Sequence, residues 1–120
     1  MSNAEDPLRQ IQSQHAIATK TLQVVKTQIL GREKDGKMLE LTLRELEEQG
    51  EGRVFKSIGK MFMEEPYDRV TSELKSDIKA AKEDVVNLQK KQKYLEGEIG
   101  KANTAFREII HQQQQAQARG

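Results

Sequence analysis

The feature that most constrains this chain is a seven-residue repeat that follows its second proline. From Tyr67 a 3-4 stepping runs through Thr71, Leu74, Ile78, Ala81, Val85, Leu88, Gln92, Leu95, Ile99, Ala102, Phe106 and Ile109. Apart from Thr71 and Gln92 these positions are apolar or aromatic, and most residues between them are Lys, Glu, Asp, Gln or Asn. A stripe this narrow, sustained over so many repeats, marks a coiled-coil seam; a helix in a globular bundle needs a wider apolar face. The spacing predicts one helix over residues 66–115, roughly 75 Å long at 1.5 Å per residue.

A shorter seam follows the other proline: Leu8, Ile11, His15, Ala18, Leu22, Val25 and Ile29, all apolar except His15. Asp6-Pro7 and Glu65-Pro66 each place proline after an acid. That pairing suits a first helical position, where the missing N–H costs nothing and the acid meets the positive end of the dipole. Neither stripe can stay in water alone, so the two helices are expected to fold back on each other antiparallel. His15 and Gln92, polar residues on the seams, read as register-setting positions. Antiparallel pairing also allows His15 and His111 to approach, although two histidines without a carboxylate make a poor metal site. Gly97 and Gly100 each cost about 1 kcal/mol against alanine and predict a softer stretch of the second helix.

Between the seams the pattern changes. Gly31 to Gly36 reads as a loop, part of a connector over Gly31–Met38, and Thr42-Leu43-Arg44-Glu45 as a capping box opening a short helix that ends by Gly50 or Gly52. Residues 53–58 and 61–64 are β-prone runs separated by Gly59-Lys60, the pattern of a hairpin with a two-residue turn. In that register Ile58 faces Met61, Ser57 faces Phe62 and Lys56 faces Met63. One face then carries Val54, Ile58, Met61 and Met63, and the other carries Phe55 and Phe62. A lone hairpin with apolar residues on both faces is marginal in water, and its open edges invite other strands. Two thin helices cannot cover both faces, so Val54, Phe55, Ile58, Gly59, Met61, Phe62 and Met63 are expected to form an assembly surface. The fold class is therefore mainly α: a long antiparallel two-helix coiled coil with one β-hairpin at the turn end. Residues 1–120 form one domain, with a helical arm and connector over 7–50, the hairpin over 53–64 and the long helix over 66–115.

Composition narrows the functional classes. Hydrophobic residues make up 35% of the chain and charged residues 32%, too little apolar material for an ordinary core. The near-zero net charge of +1 argues against disorder driven by self-repulsion. Neither half forms a basic footprint, so nucleic acid and anionic membranes are not expected partners; Lys90-Lys91-Gln92-Lys93 reads as a solvated helix face. No apolar run approaches a membrane span, and the first residues lack a signal-like apolar stretch. Cysteine is absent, which removes disulfides and thiolate sites. Gly31 to Lys37 has the G-x-x-x-x-G-K spacing of a phosphate loop, but Met38 stands where a hydroxyl is needed and no strand precedes it. No nucleophile, base and oxyanion donor come together, so no catalytic residue, metal or cofactor is expected.

One surface remains. Antiparallel helices bring Leu8 and Ile11 to Phe106, Ile109 and Ile110, where fraying ends leave apolar side chains partly exposed. Such a tip can hold other apolar surfaces weakly.

Helix, glycine-turn hairpin and long helix, with Gly52-Arg-Val-Phe-Lys-Ser-Ile-Gly-Lys-Met-Phe-Met63 and Lys90-Lys-Gln-Lys-Tyr-Leu-Glu96, resemble the β-type prefoldin subunits. Phe55, Gly59, Met61 and Phe62 stand in matching places, and the resemblance covers roughly residues 7 to 112. A single hairpin fits the β type, since α-type subunits have two; the connector and the glutamine-rich tail follow no family pattern. The resemblance implies a cytoplasmic heterohexamer of two α-type and four β-type chains, whose hairpins pair into a platform bearing coiled-coil arms. It implies ATP-independent capture of unfolded proteins of the actin and tubulin class and delivery to the cytosolic group II chaperonin. The competing reading is a homodimeric coiled-coil scaffold or tether.

Overall fold

The computed structural model describes residues 5–50, 54–58 and 61–119, with side chains over 7–50 and 66–118. Four elements follow in order: helix α1 (Glu5–Gln49), strands β1 (Val54–Ile58) and β2 (Met61–Glu65), and helix α2 (Tyr67–Arg119). The chain divides into two compact units, residues 1–28 with 88–120, and residues 29–87.

Helix α2 follows the predicted seam closely. Thr71, Ile78, Ala81 and Leu95 are buried, and the other seam residues from Tyr67 to Ile109 are half-buried. Its start differs by one residue from the expectation. Pro66 stands just outside the helix, and its carbonyl accepts the first intrahelical bond, from the Val70 N–H at 3.1 Å. Asp68 in the first turn faces the positive end of the dipole. Thr71 is buried without cost, because its hydroxyl donates to the Asp68 carbonyl at 3.1 Å. Gln92, the other polar seam residue, donates to Glu96 at 3.1 Å.

Helix α1 corrects the sequence reading. The expected loop at Gly31–Gly36 does not form, and the helix runs unbroken to Gln49. The 3-4 stepping in fact continues past Ile29 through Arg32, Gly36, Leu39, Leu43 and Leu46, every one buried or half-buried. Two glycines cost about 2 kcal/mol of helix propensity together, and tertiary packing on both sides of them outweighs that. Gly36 is buried, and a Cβ built there lies 3.8 Å from the Ala81 Cβ, so α1 approaches α2 closely at this point. Arg32 extends Nε and Nη2 to the same oxygen of Asp84, at 3.0 and 2.9 Å, and Nη1 to Asp35 at 3.0 Å. Glu40 pairs with Lys82 at 3.2 Å. Such exposed pairs fix register more than they add stability.

The expected capping box at Thr42 is likewise absent. Thr42 lies within the helix and donates its hydroxyl to the Met38 carbonyl at 2.9 Å, as Thr21, Thr27 and Thr104 do four residues back. The phosphate-loop spacing of Gly31–Lys37 also falls inside α1, where backbone amides serve the helix. The real stop is Gly50, at φ +74°, whose N–H reaches the Leu46 and Glu47 carbonyls at 3.1 and 3.2 Å. That left-handed C-terminal position strongly favours glycine.

Strands β1 and β2 pair antiparallel with Ile58 opposite Met61, Ser57 opposite Phe62, Lys56 opposite Met63, Phe55 opposite Glu64 and Val54 opposite Glu65. Strand β2 ends one residue beyond the expected 64. Gly59-Lys60 and residues 51–53 lie outside the described residues.

The glycines give a test with opposite signs. Gly31 is exposed, with nothing within 4 Å of an added Cβ, so Gly31→Ala is expected to raise helix stability by about 1 kcal/mol. Gly50→Ala forces a left-handed alanine and is expected to lower it by about 1–2 kcal/mol. Urea unfolding followed by circular dichroism reads both; a destabilising Gly31→Ala would show that the glycine has a role the helix does not explain.

Candidate functional site

In the unit formed by residues 1–28 and 88–120, burial follows the seam. Val25 is 1% exposed and Leu95 is 9% exposed. Leu8, Ile11, Phe106, Ile109 and Ile110 are all half-buried, as are most other seam residues of this unit, such as Leu22, Leu88 and Ile99. A helical step of three and four residues places Ile109 and Ile110 on the Phe106 side of α2. Ile11 of α1 and Phe106 of α2 line one hollow of about 270 Å³, together with Gln12, His15, Ala102 and Asn103. The two halves of the predicted tip are therefore neighbours at Ile11 and Phe106.

His15 takes its expected seam position and is half-buried beside this hollow. His111 is exposed, and its Nε2 accepts from the Gln115 Nε2–H at 3.1 Å on the same helix, in the tautomer that carries the ring proton on Nδ1. The structure thus gives each histidine its own surroundings rather than a shared site. Among the described residues no group of three His, Cys, Asp or Glu side chains is placed to hold a metal ion. Among them, too, no helix is long and apolar enough to cross a membrane. Lys90, Lys91 and Lys93 are exposed on α2.

The hairpin residues Val54, Phe55, Ile58, Met61, Phe62 and Met63 lie on the two paired strands, while Gly59 lies outside the described residues. The two-stranded sheet leaves one backbone edge of each strand without a neighbouring strand among the described residues. Unpaired N–H and C=O groups of this kind template further strands.

A profile of the family described as Prefoldin subunit matches residues 9–115, spanning both helices and the hairpin. This chain belongs to the prefoldin subunit family. It is 35% identical over 101 residues to the probable prefoldin subunit 1 of Schizosaccharomyces pombe, a match covering 83% of this chain and 90% of that one. The probable prefoldin subunit 1 of Dictyostelium discoideum is 30% identical over 93 residues, covering 77% and 81% of the two chains. Prefoldin subunit 1 of Arabidopsis thaliana is 31% identical over 105 residues, covering 87% and 82%. The spacing of Phe55, Gly59, Met61 and Phe62 points to the same subunit 1 branch. In fold, the chain is similar to the crystal structure of the prefoldin beta subunit from Thermococcus strain KS-1, with a TM-score of 0.76 over 90% of this chain and 96% of that one, at 19% identity. Prefoldin subunits assemble with one another, and their role is that of co-chaperones within a prefoldin complex.

The hollow was not legible from the heptads, which mark Ile11, His15, Ala102 and Phe106 as seam residues without showing that they underfill it. The available signal, a histidine at 15 and an alanine at 102 on the seams, was not specific, since Ala18, Thr71, Ala81 and Gln92 also hold seam positions.

Because protection follows burial, backbone amides near Val25 and Leu95 are expected to exchange more slowly than those of residues 8–11 and 106–110, by at least an order of magnitude. Hydrogen–deuterium exchange with mass spectrometry reads this gradient. Equal protection along the unit would mean that the tip is as tightly closed as the seam.

Proposed function

We propose that this chain is a β-type subunit of a cytoplasmic heterohexameric prefoldin. It captures unfolded proteins of the actin and tubulin class and delivers them to the cytosolic group II chaperonin without ATP. The single observation that carries this reading is the half-buried apolar group Leu8, Ile11, Phe106 and Ile109 on the seam of a prefoldin-family chain, with Ile110 beside it. The hairpin supplies the other requirement. Its open edges and its apolar residues Val54, Phe55, Ile58, Met61, Phe62 and Met63, together with Gly59 at the turn, serve assembly with α- and β-type partners.

The physical logic is weak contact repeated. Full burial of one isoleucine side chain is worth roughly 1.5–3 kcal/mol, and the partial burial available at the tip is worth less. Several subunits presenting such tips to one client chain raise effective concentration, so the total grip is firm while each contact opens singly. Release by competition needs no hydrolysis. No catalytic residue, cofactor or metal enters this scheme.

Replacing Phe106, Ile109 and Ile110 together with serine is expected to abolish suppression of client aggregation by the assembled complex. Its mass should stay unchanged, because the hairpin is untouched. Light scattering of a chemically unfolded client reads the first quantity and native mass spectrometry the second. Full suppression by this variant would overturn the tip as the client-binding surface.

A further inference from the structure

In the unit formed by residues 29–87, the outer surface of α2 is divided by charge. Lys75, Lys79, Lys82 and Val86 follow one another at steps of four, three and four residues, and so share one face of the helix. Glu73, Asp77, Ala80 and Asp84 repeat the same steps two residues earlier, which places them on the opposite side. A face that served only to keep the chain in solution would interleave the two signs. Opposite charges four residues apart stabilise a helix and like charges destabilise it. Lys75 and Lys79 stand four residues apart with the same sign.

The two faces are also met differently within the chain. Of the three acids, Glu73 pairs with Arg69 at 3.4 Å and Asp84 with Arg32 at 2.9 Å. Of the three lysines, Lys82 pairs with Glu40 at 3.2 Å, while Lys75 and Lys79 form no ion pair among the described residues. The lysines border an open groove of about 630 Å³ that Ile78 and Val86 also line, with Glu83 the one carboxylate among the described lining residues. Val86 is 49% exposed. Water solvates each exposed ammonium, so nothing here is strained; the groove presents a positive field beside an apolar strip. It runs roughly 16 Å along the helix from Lys75 to Val86, and begins ten residues beyond Glu65, the end of β2.

We propose that this groove seats an acidic segment of the subunit that adds its strands to the hairpin, and that it selects that subunit by charge. The inference rests on the assembly reading and deepens it. Backbone pairing at an open strand edge supplies affinity but reads little sequence, so choice among partners of one fold falls to side chains beside the edge. Charge complementarity is suited to that choice, because a wrong partner is repelled as well as unrewarded. The matching chemistry is Asp or Glu against Lys75 and Lys79, with an aliphatic side chain laid on Ile78 and Val86.

The test uses the complex assembled from this chain with α-type and other β-type subunits, free of client. A carbodiimide joins an ammonium to a carboxylate it touches, and is expected to link Lys75 or Lys79 to an Asp or Glu of a neighbouring subunit, read by peptide mass spectrometry. No such link, or links only to carboxylates of the same chain, overturns the proposal. In a second arm, the unaltered chain and the Lys75→Glu, Lys79→Glu double variant, one of them isotope-labelled, compete for a limiting amount of the other subunits. Lys82 is left in place because it pairs with Glu40. The variant is expected to enter the complex about fivefold less often at low salt, and the gap is expected to close at high salt. Lys90→Glu with Lys93→Glu makes the same charge change outside the groove and is expected to compete equally with the unaltered chain. Equal entry of the groove variant, a gap that salt does not move, or an equal loss in the Lys90 and Lys93 variant overturns selection by charge and leaves assembly through the hairpin standing. Failure of the assembly reading shows separately, as an unaltered chain that enters no complex.

Discussion

The seam between α1 and α2 is the constraint on which the rest of this structure depends. A chain with 35% hydrophobic residues cannot bury them in a ball, but it can bury them along one stripe facing a matching stripe. Each stripe is useless without the other, and the antiparallel arrangement follows from the short hairpin joining them. Within residues 29–87 the register is fixed by the close approach of Gly36 to Ala81 and by the Arg32–Asp84 and Glu40–Lys82 pairs.

Two kinds of incompleteness result, and they suit different tasks. Among the described residues the hairpin has no further strand at its backbone edges, leaving a directional need that only another strand meets. The half-buried apolar residues near Leu8 and Ile109 need only apolar cover, a non-directional need that many chains can meet. Specific assembly fits the first and promiscuous capture fits the second.

The α2 seam could be read residue by residue because its period is strict and its interruptions, Thr71 and Gln92, are single positions. The strand register was equally legible from the Gly59-Lys60 spacing between two β-prone runs. The second half of α1 was not. Gly31 and Gly36 were weighed as punctuation, yet a glycine ends a helix only where the period also ends, and the period continues through Leu39, Leu43 and Leu46. Thr42 misled for a related reason: its side chain bonds backward to Met38 within a helix as readily as it caps one. The hollow lay beyond sequence reasoning, since only the spatial pairing of the two helices brings Ile11 and His15 to Ala102 and Phe106.

Native mass spectrometry of the chain before and after mixing with α-type prefoldin subunits tests the central claim most directly, that this molecule is completed by its partners through the hairpin. The account predicts no closed assembly from the chain alone and a six-chain complex once α-type subunits are supplied. A stable monomer or homodimer that ignores α-type subunits would contradict it.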